Sequence, residues 1–216
     1  FSDTQQRVRL FTPRAAHPAN LLPQDASRPL AHITSRTKGA QSSSYLYDAR
    51  GRQLLGDGRE ITWKPFDLPS TIHQDGHTTT FSYDAFGTRV RKVREAGGAF
   101  VDGVDNIGGL YDRRWNADGK VEHVRTVNGT DGPVAQIVYT EDPSDPARKL
   151  FLHQEALGSV GLVTDSIGGE VQRTYFDPFG AKIGADGAVV SPEMGDFKLG
   201  FTGHRHDDEL GLIDMR

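Results

Sequence analysis

The stretch Thr80-Phe81-Ser82-Tyr83-Asp84-Ala85-Phe86-Gly87-Thr88-Arg89-Val90-Arg91-Lys92-Val93 decides the fold class. Thr80 to Tyr83 alternates polar and apolar residues, so Phe81 and Tyr83 share one face of a strand. Asp84 then opens a turn, because its short carboxylate can accept a hydrogen bond from a backbone N–H two residues on. Gly87 supplies the positive φ that closes a tight hairpin, and Arg89 to Val93 returns as the next strand.

The same unit recurs. Tyr47-Asp48-Ala49-Arg50-Gly51-Arg52 lies 36 residues before its counterpart at Tyr83-Asp84, and Phe176-Asp177-Pro178-Phe179-Gly180-Ala181-Lys182 is a third copy. Asp165-Ser166-Ile167-Gly168 and Asn116-Ala117-Asp118-Gly119 are weaker cousins. Asp-x-x-Gly alone occurs six times, where about two would arise by chance at ordinary glycine usage. The discriminating form is therefore the one with an aromatic before the Asp and a basic residue shortly after the Gly. Loose internal periodicity of this kind signals a repeat architecture.

Working outward, Arg59-Glu60-Ile61-Thr62-Trp63 alternates likewise, and Lys64 to Pro69 is a turn into Ser70-Thr71-Ile72. Further strands are expected over 121–127, 134–139, 149–153, 160–164 and 171–176, with a single turn over Glu155 to Gly158. No helix of ten residues or more is predicted. The expected fold class is all-β: antiparallel hairpins in one curved or spiral sheet. Residues 1–44 read differently. Pro13, Pro18, Pro23 and Pro29 exclude a long helix, so the segment is expected to be an irregular, Pro-rich lead-in with short strands such as Arg7 to Phe11. Residues 39–44 read as a loop. The second region runs from 45 to 216.

Composition narrows the function classes. The 216 residues hold 25 basic and 29 acidic side chains, for a net charge of −4. Those charges are interspersed, which gives no electrostatic case for nucleic acid or for an anionic membrane surface. Gly and Pro together make 36 residues, consistent with many turns. The absence of cysteine excludes disulfides, thiolate metal sites and Cys nucleophiles. No apolar run approaches the length of a membrane-spanning helix. The chain starts at Phe1 and ends at Arg216, as expected of a piece of a longer polypeptide.

These residues resemble the YD-repeat, or RHS, family from about Arg28 to Arg216. Three runs carry the resemblance: Tyr45 to Gly51 with Ile61-Thr62-Trp63 and Phe81 to Val90; His153 to Val160 with Thr164-Asp165 and Phe176 to Gly180; and Gly200-Phe201-Thr202-Gly203-His204-Arg205-His206-Asp207-Asp208-Glu209-Leu210-Gly211-Leu212-Ile213. Their order matches the family's C-terminal RHS-associated core. The resemblance implies a β-strip wound into a hollow shell around a variable C-terminal effector in a bacterial polymorphic toxin used in interbacterial competition. It also implies a secreted or bacterial cell-surface location. The implied partners are the rest of the shell, the effector, and a secretion or delivery component. Many members carry an aspartyl self-cleavage site just after the core. This chain stops at Met215-Arg216, before that segment, so no catalytic residue is carried over. A non-enzymatic role without cofactor is expected. The alternative is a cell-surface adhesion or carbohydrate-binding module built from the same hairpins.

The residues expected to matter are structural turn positions: Tyr47, Asp48, Gly51, Tyr83, Asp84, Gly87, Asp177, Pro178, Gly180, Gly203 and His204. Against this stand four chemical readings. His204, His206 and Asp207 could share a metal ion if 204 and 206 lie on one strand face, but no third ligand is predictable. Asp207 and Asp208 could be proposed as an aspartyl pair, yet adjacent strand residues point to opposite faces and acid–base work needs facing carboxylates. Ser159 lacks the spacing and setting of a nucleophile elbow. Trp63, Tyr83, Trp115 and Tyr175 could stack on sugars, or pack against neighbouring strands.

Overall fold

The computed structural model describes residues 7–11, 32–38, 41–188 and 197–215. Apart from two short 3-10 turns, its regular structure is antiparallel β. The chain divides into two compact units, residues 1–80 and 81–216. The proline run of the lead-in lies outside the described residues.

In the first unit, β1 (Arg7–Phe11), β2 (His32–Lys38) and β3 (Gln41–Ser44) form a small sheet in that order. Gln41–Ser44 is thus a strand and not the loop expected from its polar sequence. Pairing creates it, through Ser35 opposite Ser44 and Lys38 opposite Gln41. A ladder of consecutive hairpins follows: β4 (Leu46–Tyr47), β5 (Gln53–Gly56), β6 (Arg59–Trp63), β7 (Pro69–Gln74) and β8 (His77–Tyr83), which runs across the unit boundary. Tyr45, Leu68 and Ile72 are its buried apolar anchors.

In the second unit, eight strands pair in sequence order. They are β9 (Arg89–Ala96), β10 (Ala99–Ile107), β11 (Tyr111–Asn116), β12 (Val121–Gly129), β13 (Gly132–Thr140), β14 (Arg148–Gln154), β15 (Val160–Thr164) and β16 (Glu170–Arg173). Val124 stands opposite Val138, and Leu152 opposite Val163, so these apolar side chains line one face. Phe197 and Leu199 lie on that face and complete a core with Leu150 and Val160. Two small hairpins end the unit: β17 (Tyr175–Phe176) with β18 (Lys182–Ile183), and β19 (Arg205–Asp207) with β20 (Leu212–Asp214). The strand expected over 171–176 is split at Thr174, whose N–H turns to the Gly161 carbonyl at 2.9 Å. Residues 155–158 form a hairpin turn, with the Glu155 N–H donating to Ser159 O.

The recurrent turn has one backbone form. At Asp84 the N–H donates to Thr88 O at 2.9 Å and the Gly87 N–H donates to Asp84 O at 3.2 Å. The same pair of bonds closes the turns at Asp48, Asp165 and Asp177. The glycines concerned have φ of 83° (Gly51), 83° (Gly87), 84° (Gly168) and 86° (Gly180).

Two of these glycines separate backbone cost from packing cost. Around Gly168 a Cβ would meet nothing within 4 Å, whereas at Gly180 it would stand 2.6 Å from Ile213 Cδ1. Gly168→Ala is expected to cost about 1 kcal/mol for the left-handed backbone. Gly180→Ala is expected to cost roughly 1–3 kcal/mol more, through overpacking. Urea unfolding of the two variants measures the difference, and equal losses would refute the packing role of Gly180.

Candidate functional site

The turn carboxylates form the first candidate feature. Asp84 Oδ1 accepts from Phe86 N–H at 2.9 Å and from Thr88 N–H at 2.8 Å. Asp48 does so with Arg50 and Arg52, Asp165 with Ile167 and Gly169, and Asp177 with Phe179 and Ala181. The sequence points to the first bond of each pair. The second, four residues on, locks the returning strand to the turn. Burial opposes ionisation at Asp48, but the Arg52 backbone N–H and guanidinium outweigh it and hold the carboxyl below the usual range. Tyr47 donates its hydroxyl to Ile33 O at 2.9 Å, and Tyr83 is half-buried. Pro178 is exposed at its turn. Gly203 closes a related turn, donating to Gly200 O, while His204 O accepts from Gly200 N–H.

The second feature is a seam of buried ion pairs between the terminal hairpin β19–β20 and the sheet. Asp207 is buried and binds Arg89 at 2.5 Å and Lys92 at 2.8 Å. Lys92 also reaches Glu209. Asp208 is buried against Lys182 at 2.8 Å and Lys198 at 3.3 Å. Arg205 grips Asp112 with two bonds, of 2.6 and 3.0 Å, and Asn106 donates to the same carboxylate. Burial works against the charge on Asp207, but Lys92 and Arg89 overcome it and keep the pKa below its ordinary value. Burial opposes ionisation at Asp112 too, and Arg205 reverses the balance.

Arg89, Lys92, Asp112 and Arg205 are not singled out by the sequence. Arg89 and Asp207 are 118 residues apart, and no local pattern joins them. No strand over 111–116 is expected from the sequence, and there Asp112 is the residue placed opposite Val124 and buried.

This arrangement bears on each chemical reading. Asp207 and Asp208 are engaged by separate cations, so they do not form a facing carboxylate pair. His206 is buried, and its Nε2 accepts from the Phe201 N–H at 3.0 Å. His204 Nδ1 faces the Thr202 hydroxyl and carbonyl, each at 2.9 Å. Among the described residues no group of three or more acidic or histidine side chains is arranged to hold a metal. Ser159 is buried and its Oγ accepts from Thr202 N–H. A half-open cleft of about 450 Å³ adjoins the seam. Its carboxylates, Asp102, Glu122, Asp207 and Glu209, are each paired with Arg or Lys.

Of the aromatic side chains named for sugar stacking, Trp115 and Trp63 are engaged with their own neighbours. Arg91 and Arg113 lie over Trp115, 5.6 and 5.3 Å from its ring centroid, and Phe100 is parallel to it at 6.4 Å. Arg52 lies over Trp63, whose indole N–H donates to Gln53 O. Tyr175 sits on the short β17–β18 hairpin, 44% exposed.

No family model matches the chain. Two curated relatives are the tRNA3(Ser)-specific nuclease WapA of Bacillus spizizenii, 27% identical over 187 residues, and the tRNA nuclease WapA of Bacillus subtilis, 27% identical over 186. Each alignment covers 84% of this chain, and the chain spans only 7% of the length of those relatives. Among solved structures, the TcdB2-TccC3-TEV crystal structure superposes with a TM-score of 0.63 at 16% identity over 83% of this chain and 10% of that one. The Tc holotoxin pore of Photorhabdus luminescens gives 0.63 at 18% identity, with the same coverage. The hairpin ladder is therefore a fold shared with toxin-complex chains.

The seam gives a pH dependence. Burial, helped by Lys182 and partly offset by Asp208 and Asp207, lowers the His206 pKa from 6.5 to about 4. The unfolded chain takes up a proton near 6.5 and the folded chain does not, so stability is full above that value and falls as pH drops toward 4. The His206 share of the loss is expected to be roughly 3 kcal/mol. Urea titrations of wild type and His206→Gln between these pH values isolate it; identical acid losses would refute it. Asp207→Asn, which leaves Lys92 and Arg89 short of a buried counter-charge, is expected to cost about 3 kcal/mol at neutral pH. A change within about 0.5 kcal/mol, typical of a surface site, would show that the seam is slack.

Proposed function

We propose that this chain is a non-catalytic wall segment of a YD-repeat (RHS) shell that encloses or presents a C-terminal effector in a bacterial toxin. One observation carries the reading: the superposition on toxin-complex chains spans 83% of the chain, so the likeness is to the whole ladder and not to a single hairpin. The WapA alignments, over 84% of the chain, support the same assignment. The nuclease activity named for those relatives we place outside this segment. Each carboxylate lining the cleft is tied to a cation, which supports the non-catalytic reading. A secreted or cell-surface location follows from this role. The adhesion reading loses support, because Trp115 is already occupied by Arg91, Arg113 and Phe100.

Two measurements test the proposal. In the longer polypeptide that carries this chain, the segment encoded after Arg216 is expected to resist limited proteolysis, compared with the same segment expressed alone. Equal digestion rates would overturn the enclosing role. The isolated chain is expected to keep a constant intact mass on incubation. Specific release of a peptide, abolished by Asp207→Asn or Asp208→Asn, would overturn the non-catalytic assignment.

A further inference from the structure

The face of the second unit's sheet turned away from Phe197 carries an unusual charge arrangement. Val124 and Val138 point to the covered face, so Arg125 and Ile137 point to the other. Register then places Tyr111, Arg125, Ile137 and Lys149 in one row across β11 to β14. The next row holds Asp105, Arg113, His123 and Tyr139. On the other side lie Val127, Ala135 and Phe151.

Arg91 is neutralised by Asp105 through bonds of 2.6 and 3.1 Å, and Arg173 by Glu170. Arg113, Arg125 and Lys149 differ. None of the three has a carboxylate partner among the described residues, and none has a further contact to account for. Two are nonetheless held in place, since Arg113 rests on Trp115 at 5.3 Å and Arg125 on Tyr139 at 5.4 Å. A guanidinium stacked in this way keeps its N–H fork free and loses little rotamer entropy on binding. With no carboxylate on Arg113, Arg125 or Lys149, this face carries a surplus of positive charge that is complementary to an acidic occupant.

We propose that this face docks an acidic polypeptide segment in which Asp or Glu is interspersed with aliphatic residues. Its carboxylates would engage Arg113, Arg125 and Lys149. Its aliphatic side chains would cover the half-exposed row of Val127 and Phe151, which are 43% and 44% exposed. That apolar row favours a polypeptide over a polysaccharide or a nucleic acid. The rings decide in the same direction: Tyr111, His123 and Tyr139 stack on one another at 5.9 and 4.9 Å, leaving no free platform for a base or a sugar. The proposal does not rest on the shell reading, since an adhesion protein with this face would bind the same partner.

The test uses the purified 216-residue chain and fluorescence anisotropy of a short labelled peptide containing glutamate, leucine and serine in rotation. The comparators are its glutamine counterpart, dextran sulfate and oligothymidylate. The glutamate peptide is expected to bind and to weaken as salt rises. It is expected to bind about tenfold or more weakly to the Arg113→Gln/Arg125→Gln variant. Lys149→Glu, at an exposed side chain whose replacement should leave the fold intact, is expected to weaken binding as well, and it keeps the test decisive if the double variant folds poorly. No binding, equal binding of the glutamine peptide, or unchanged affinity in Lys149→Glu would overturn the proposal. So would displacement of the peptide by dextran sulfate or oligothymidylate at equal charge concentration, which would mark a general polyanion surface.

Discussion

One carboxylate oxygen accepting two backbone N–H groups closes hairpin after hairpin in this chain. At Asp48, Asp84, Asp165 and Asp177 the donors are the residues two and four positions on. The first bond shapes the turn. The second fixes where the returning strand starts, and in a sheet a slip of one residue would move every side chain to the other face. Hydrogen bonds to an ionised acceptor are stronger than neutral ones. The device is reinforcement and not a requirement. Lys64 opens a turn with the same backbone bond, its N–H donating to Leu68 O, and there Asp67 takes the left-handed position at φ 63°. The Arg52 guanidinium meets the Asp67 carboxylate at 3.0 Å, an interaction that a glycine at that position could not make.

A ladder of short hairpins leaves each strand with two faces and few neighbours outside the sheet. In the second unit one face is closed by Phe197 and the terminal hairpin. Apolar contacts alone would allow that hairpin several alignments. The seam removes the ambiguity, because displacing it would strand Asp207, Asp208 or Arg205 without its counter-charge. Burying so many charges gains little net free energy, since desolvation offsets the attraction. What the pairs confer is a unique seat for residues 205 to 214. The Phe201 N–H bond to His206 ties the preceding turn into the same seat.

What was legible in the sequence was local. The strand before Asp84, the turn and the return over Arg89 follow from alternation, one Asx bond and one positive φ, all within a dozen residues. Strand Gln41–Ser44 was not legible, because four polar residues carry no strand pattern until β2 lies beside them. The pairs of Arg89, Lys92 and Asp112 in the seam were not legible either, since their partners are more than ninety residues away. Strand β11 was not legible at all. Tyr111 and Trp115 lie on the half-exposed face and cover themselves with His123 and arginines, while Asp112 goes inward to meet Arg205. Burial of a strand face is decided by what packs on it, and nothing within the strand records that.

The placement of side chains in β11 bears on how such a sheet can be one layer thick. An ordinary two-layer domain hides its aromatic residues between layers and presents charge to water. Here the exposed aromatics are roofed by guanidinium groups: Arg91 and Arg113 over Trp115, and Arg125 over Tyr139. Each arginine stem covers apolar surface while its charged end stays in solvent. The covered face does the reverse, burying Arg89, Lys92 and Asp112 against the charged side chains of the terminal hairpin. Neither face then presents a continuous apolar surface, and neither needs a second sheet.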